Sequence, residues 1–337
     1  MPIRFAALAA ATLLVGVTTA SAQTLKSVQE RGHLLCGVSE GLPGFSAPDA
    51  GGAWTGFDVD FCRALSAAIF NDAGKVQFVP LSAAARFAAL KDKRIDVLSR
   101  NSTWTLEREA GLGLLFAAVT YYDGQGFMAR RALDVESGLE LDGKKVCVQA
   151  ATTNELNLAD YFRNNRISYT PAAFPTADAA LKAYSDGACD AFTSDVSQLH
   201  ALRVRLSSPR DHLILADVIS KEPLGPAVRQ DDVQWLNVVK WTHFAMVNAE
   251  ELGVGKATLD EALKSQKPDV RRLLGHEGGF GQQLGLANDW VVRIVRLVGN
   301  YGEVFERNVG TDTRLGIPRG INSLWDRGGL QYAPPVR

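Results

Sequence analysis

Short apolar runs alternate with longer amphipathic ones along most of the chain. Residues 34–38 (LLCGV) form a compact apolar run suited to a buried strand, and the following SEGLPGF, with its glycines and proline, marks a loop. Gly51-Gly52 reads as a turn, after which GFDVDFCRALSAAI sets Phe61, Leu65 and Ile69 four apart, the spacing of one buried helical face. A strand over 75–80, a helix over 83–91 and a strand over 95–99 follow. Past Tyr121-Tyr122-Asp123-Gly124-Gln125-Gly126 the pattern restarts, with strands over 144–149, 167–171 and 189–193 and helices over 154–162 and 177–184. Such alternation predicts α/β units with doubly wound parallel sheets. AALK then IDVLS in the first unit lines up with AALK then CDAFT in the second, which sets Asn101 opposite Asp195. Two similar lobes are expected, since a repeat this long occurring twice is no solenoid.

The remainder reads as helical, with a helix over 235–248 and Trp290, Ile294, Leu297 and Tyr301 at helical spacing. The expected division is residues 23–120 for the first part of lobe 1, a connection over 121–125 and lobe 2 over 126–219. A second connection over 220–226 then leads into 227–337, the rest of lobe 1 and a C-terminal helical extension.

A chain of 337 residues with 46% hydrophobic content can bury a large core, and a net charge of −1 gives no reason to expect nucleic acid or an anionic membrane as partner. The start changes the picture more. One arginine, an apolar run and Ala20-Ser21-Ala22 read as a signal peptide over 1–22, cleaved after Ala22. No cysteine sits directly after the cleavage point, so the mature chain is expected in the periplasm, soluble and without a lipid anchor. Cys36, Cys62, Cys147 and Cys189 all lie in the exported part, where an even number favours two disulfides. Two fall early and two in the middle, so the expected pairs are Cys36 with Cys62 and Cys147 with Cys189; unpaired buried thiols are the alternative.

Candidate chemistry gathers at strand ends. LSRNSTWTLERE (98–109) runs from a strand into what reads as a helix opening at Thr105, with Glu107 and Glu109 in its first turn. Arg108 there opposes the helix dipole, a conflict that a bound anion would resolve; pairing with a neighbouring glutamate would resolve it too. Thr152 and Glu155 fit a capping box, and Thr152 and Thr153 gather hydroxyls where an anionic group could dock. Asp195 reads either as a helix cap or as a carboxylate that receives an ammonium. Arg108 and Asp195 from different lobes would then hold the two ends of a zwitterion. Catalytic patterns are poor: five scattered histidines, no metal spacing, and no GxSxG, HExxH or P-loop, so neither cofactor nor metal is expected.

These stretches resemble the family 3 solute-binding proteins, the periplasmic receptors of polar amino-acid ABC importers. The segment GFDVDFCRALSAAI is similar to that family's signature. LSRNSTWTLERE, YYDGQGFM, CVQAATTNELNLADYF, CDAFTSDVSQL and the C-terminal NVGTDTRLGIPRGINSLWDRGGLQYAPPVR resemble its general L-amino-acid receptors. The resemblance implies a type II periplasmic binding protein fold, two lobes joined by two hinge strands, and a receptor that passes L-amino acids to permease subunits in the inner membrane, working as a monomer. It places the α-carboxylate on Arg108, supported by Thr103 and by Thr152 and Thr153, and the α-ammonium on Asp195 and the Asn101 carbonyl. Where histidine and glutamine receptors carry an acid and an aromatic in the first loop, this chain has Ser39 and Leu42, and Ala83 replaces a second aromatic. Glu40, Arg86 and Arg100 are therefore the candidate side-chain contacts, and broad specificity is expected. The alternative is an exported enzyme of the same fold, such as a cyclohexadienyl dehydratase, which turnover of prephenate-like substrates would reveal.

Overall fold

The signature segment becomes the helix on which lobe 1 is built. The computed structural model describes residues 23–337, so the expected signal peptide lies outside the described residues. Helix α2 (Phe57–Phe70) buries every residue except Arg63, Ile69 and Phe70. Its burial is wider than the single face expected from the spacing, because α7 (Val233–Glu251), α11 (Trp290–Leu297) and α12 (Tyr301–Asn308) cover it. Three letters of GFDVDF, Gly56, Phe57 and Asp60, have a local reason. Gly56 has φ 129° and a Cβ there would lie 2.2 Å from the Phe45 carbonyl oxygen. Phe57 packs edge-on against Phe45, Tyr121, Tyr301 and Phe305. Asp60 accepts from Arg307 and Asn308, tying the extension to the signature helix.

The lobe 1 sheet has the order β4 (Val76–Pro80), β1 (Leu34–Val38), β5 (Val97–Leu98), β14 (Ala227–Arg229), β6 (Leu114–Phe116). The lobe 2 sheet runs β10 (Tyr169–Phe174), β9 (Lys144–Gln149), β11 (Ala191–Asp195), β8 (Gln125–Arg130), β12 (His212–Ile214). In each sheet three strands are parallel, as the alternation predicts, but β14 and β8 run antiparallel to their neighbours. These are the strands by which the chain returns to one lobe or enters the other, so they arrive from the hinge end and not through a crossover helix. A two-residue hairpin, β2 (Ala47–Pro48) with β3 (Trp54–Thr55), decorates lobe 1.

Between the sheets β7 (Tyr121–Asp123) pairs antiparallel with β13 (Glu222–Leu224), and these two strands are the connections between lobes. The outer edge of β7 is also occupied: Asn322, in the C-terminal extension, accepts from the Tyr122 N–H (2.7 Å) and donates to its carbonyl (2.9 Å). The remaining helices are α1 (Thr24–Arg31), α3 (Arg86–Lys91), α4 (Thr153–Asn165), α5 (Ala177–Ser185), α6 (Val196–Arg203), α8 (Leu259–Ala262), α9 (Pro268–Leu273) and α10 (Phe280–Gln283).

Two sequence expectations need correction. Trp290 to Tyr301 is not one helix: α11 ends at Leu297, and α12 restarts behind Asn300, whose side chain and Glu303 form a reciprocal capping box. Thr152 and Glu155 match the same pattern without forming a box, because the Thr152 hydroxyl donates instead to the Gln149 carbonyl (2.7 Å). Both disulfides are present, Cys36–Cys62 joining β1 to α2 and Cys147–Cys189 joining β9 to the entry of β11.

Candidate functional site

Ser99 to Arg108 carries most of the lobe 1 side of the cleft. Its loop is pinned from the signature helix: Asp58 accepts from the Asn101 N–H (3.1 Å), and the Ser99 hydroxyl donates to the Asp58 carbonyl. Burial pushes the Asp58 carboxyl up to about 7, against the lowering effect of that Asn101 bond and of Arg100. Asn101 takes positive φ (21°), a region in which asparagine is enriched among non-glycine residues.

Arg108 does not open a regular helix. It sits in a single π-helical turn, Glu107–Gly111, too short for a dipole argument, with its backbone N–H on the Thr105 hydroxyl (3.2 Å). What fixes its guanidinium is the Thr103 carbonyl, which accepts from Nη1 at 2.7 Å, and the ring of Phe87, 5.1 Å beneath. Neither flanking glutamate makes an ion pair with it among the described residues. Arg86 stacks over the same ring at 4.6 Å, so one phenylalanine supports two cations.

The structure brings Arg86, Arg100, Asn101, Thr103 and Arg108 of lobe 1 together with Thr152, Thr153 and Asp195 of lobe 2 around one narrow interlobe cavity. Glu40 is not among them. It is exposed and lines a larger adjoining chamber of about 250 Å³, together with Ser39 and Leu42. Ala83 is buried away from both cavities.

The two walls carry opposite charge. Burial, then repulsion from Arg100 and Arg108, holds Arg86 well below the usual arginine range, and its Nε has no partner among the described residues. Burial also pulls Arg100 down to about 10, while its Nε donates to the Leu81 carbonyl (2.9 Å). Across the cavity Asp195 ends β11 and begins α6, yet its carboxylate caps no helix N–H. It accepts from the Asn154 side chain (2.8 Å) instead. Burial, with Asp123 and Glu222 nearby, pushes Asp195 well above the usual carboxylate range, and Arg108 only partly opposes this. Three buried cations facing buried acids, with little solvent, favour a guest that carries both signs.

Sequence reasoning missed Glu222. This hinge residue is buried and accepts from Thr103 of lobe 1 (2.5 Å), Thr153 and Asn157 of lobe 2 (2.9 and 2.7 Å) and Ser220 (2.8 Å). A lone glutamate before a proline gives no local pattern by which to find it. Its bonds engage the hydroxyl protons of Thr103 and Thr153, so either threonine must turn away from Glu222 before it can donate to a bound carboxylate. Gln198 was missed as well; it accepts from Asn101 across the cleft (3.0 Å). Ala151, in the turn before α4, holds a left-handed φ of 59°, a local strain at the mouth of the site.

Among the described residues no group of three or more His, Cys, Asp or Glu side chains is placed to hold a metal, and no helix is long and apolar enough to cross a membrane.

Residues 34–254 match the family described as bacterial extracellular solute-binding proteins, family 3. The chain is 54% identical to the general L-amino acid-binding periplasmic protein AapJ of Rhizobium johnstonii, over 98% of both chains. It is 49% identical to the glutamate/glutamine/aspartate/asparagine-binding protein BztA of Rhodobacter capsulatus, over 99% of this chain and 98% of that one. A solved structure from Brucella ovis, an ABC transporter periplasmic binding protein with glutathione bound, superposes with a TM-score of 0.92 at 52% identity, covering 93% of this chain and 99% of that one.

Proposed function

The chain belongs to the bacterial extracellular solute-binding proteins, family 3, and from that premise we propose that its interlobe cleft captures free L-amino acids in the periplasm for an ABC importer. The observation that carries this reading is the convergence of Arg108 from lobe 1 and Asp195 from lobe 2 on one small buried cavity. A zwitterion spanning that cavity pairs its carboxylate with the guanidinium and its ammonium with the aspartate. Contacts to both lobes stabilise the closed arrangement over the open one, and only such a differential can drive closure. Asn101, Thr103, Thr152 and Thr153 surround the α-substituents. Arg86 and Arg100, two further buried cations, are placed for the side chain and favour acidic and amide ligands. The Rhodobacter relative, named for glutamate, glutamine, aspartate and asparagine, supports that preference, and the Rhizobium relative, named for L-amino acids in general, supports breadth.

The N-terminal segment 1–22 acts as a signal peptide, and the mature monomer docks on permease subunits. The relatives are named as binding proteins, and nothing in them favours the dehydratase alternative. Calorimetric titration tests the reading: Arg108→Ala weakens every amino-acid ligand by about 2–5 kcal/mol, because a carboxylate is left buried without its partner. Unchanged affinity in that variant overturns the assignment.

A further inference from the structure

The amino-acid clamp does not end in a closed wall. Arg100, Asn101, Gln149 and Gln198 line both the narrow inner cavity and the outer chamber of about 250 Å³. A side chain that leaves the clamp between these four residues therefore emerges into a second, larger space. At that boundary the Asn101 Oδ1 is buried and has no donor among the described residues, while its amide nitrogen is spent on Gln198. An unmet acceptor there calls for an N–H from the guest. A free side-chain carboxylate cannot supply one at neutral pH, but a side-chain amide can.

Beyond the boundary the chamber carries both signs. Arg205 of lobe 2 donates to Asp178 (2.7 Å) through Nη1, which leaves most of its five N–H groups free of that bond. Glu40 faces the chamber from lobe 1, and Leu42 and Leu202 provide apolar wall. Such a lining suits a second residue that bears both an amide and a terminal carboxylate.

We propose that the outer chamber is a subsite for amino acids extended through the side chain, that is, glutamate-type residues whose side-chain carboxyl is joined by an amide to a further amino acid. This rests on the proposed amino-acid receptor reading, because the first residue must keep its α-ammonium and α-carboxylate free for the inner clamp. The linking amide N–H meets Asn101 Oδ1, and the terminal carboxylate meets Arg205. Ordinary α-linked dipeptides are refused, since their first α-carboxyl is consumed by the peptide bond.

Isothermal titration of the full mature chain with L-glutamine, L-glutamate, γ-L-glutamylglycine and α-L-glutamylglycine tests this. The expected result is binding of the first three and none of the fourth. Arg205→Gln, which touches no part of the inner clamp, is expected to weaken γ-L-glutamylglycine by about three- to ten-fold, the range of one partly exposed charged contact. Its L-glutamine affinity should stay as in the unmodified protein, which also shows that the variant is folded. If glutamine binds and γ-L-glutamylglycine does not, the subsite is wrong and the receptor reading stands. Equal weakening of both ligands in Arg205→Gln, or of neither, also overturns the subsite. Should none of the four bind, the receptor reading fails and the subsite falls with it.

Discussion

The two lobes share a strand order, a disulfide and a loop-lined sheet end, yet they furnish the cleft with opposite chemistry. Lobe 1 supplies long cations, Arg86, Arg100 and Arg108, held by an aromatic ring and by backbone carbonyls. Lobe 2 supplies short groups, Asp195, Asn154, Thr152 and Thr153, held by the ends of β11 and α4. Each wall is costly alone, because buried like charges repel and lack water. The asymmetry teaches that closure and ligand capture are one event: each lobe offsets the other's desolvation only through something placed between them.

The comparison breaks most visibly at Asp195. Burial raises the Asp195 carboxyl well above its ordinary range, whereas a bound ammonium favours the carboxylate, so binding is coupled to proton release wherever the free site is part-protonated, and affinity rises with pH through that range. Calorimetry in buffers of different ionisation enthalpy should detect that release. Asp195→Asn should abolish it and cost about 2–5 kcal/mol of affinity through the unpaired ammonium.

The lobe 1 wall offers a smaller effect. Arg86→Met keeps much of the volume over Phe87 and removes one charge, so acidic ligands should lose about 1.5–3 kcal/mol while aliphatic ligands change little. A thermal-shift series across ligands reads the selectivity directly. Equal losses for leucine and glutamate would show that Arg86 only shapes the wall.

A separate effect concerns stability. The Asp58 carboxyl is raised from 3.8 to about 7 in the folded chain, so between those pH values the native protein holds a proton that the unfolded chain has released. Stability therefore falls as pH rises through that window, and the cost is complete above about 7. Asp58→Asn should flatten this slope in melting curves taken from pH 5 to pH 8. Asp123, raised to about 6, leaves a residual slope of the same sign.

Much of this molecule is readable from its letters, and the limits have physical causes. β1 and β9 match their predicted bounds because apolar runs between loop residues leave one solution. Asp195 is legible as a charged residue at a strand end, whereas Arg108 lies ten residues past the end of β5, in the turn Glu107–Gly111. The reason given for Arg108 was incorrect, however, since a carbonyl and a ring hold it and no dipole does. Asn300-x-x-Glu303 and Thr152-x-x-Glu155 look alike, but only the first forms a box, because a nearby carbonyl captures the Thr152 hydroxyl. Glu222 was invisible because its four donors come from three separate segments, a convergence that only folding creates.

The side-chain amide of Asn322 has one consequence for the integrity of the molecule. By imitating a neighbouring strand on the free flank of Tyr122, it leaves the flexing ribbon with no open row of backbone groups at that position. Truncation ahead of residue 320 is expected to bare that flank, because both of those hydrogen bonds come from the tail.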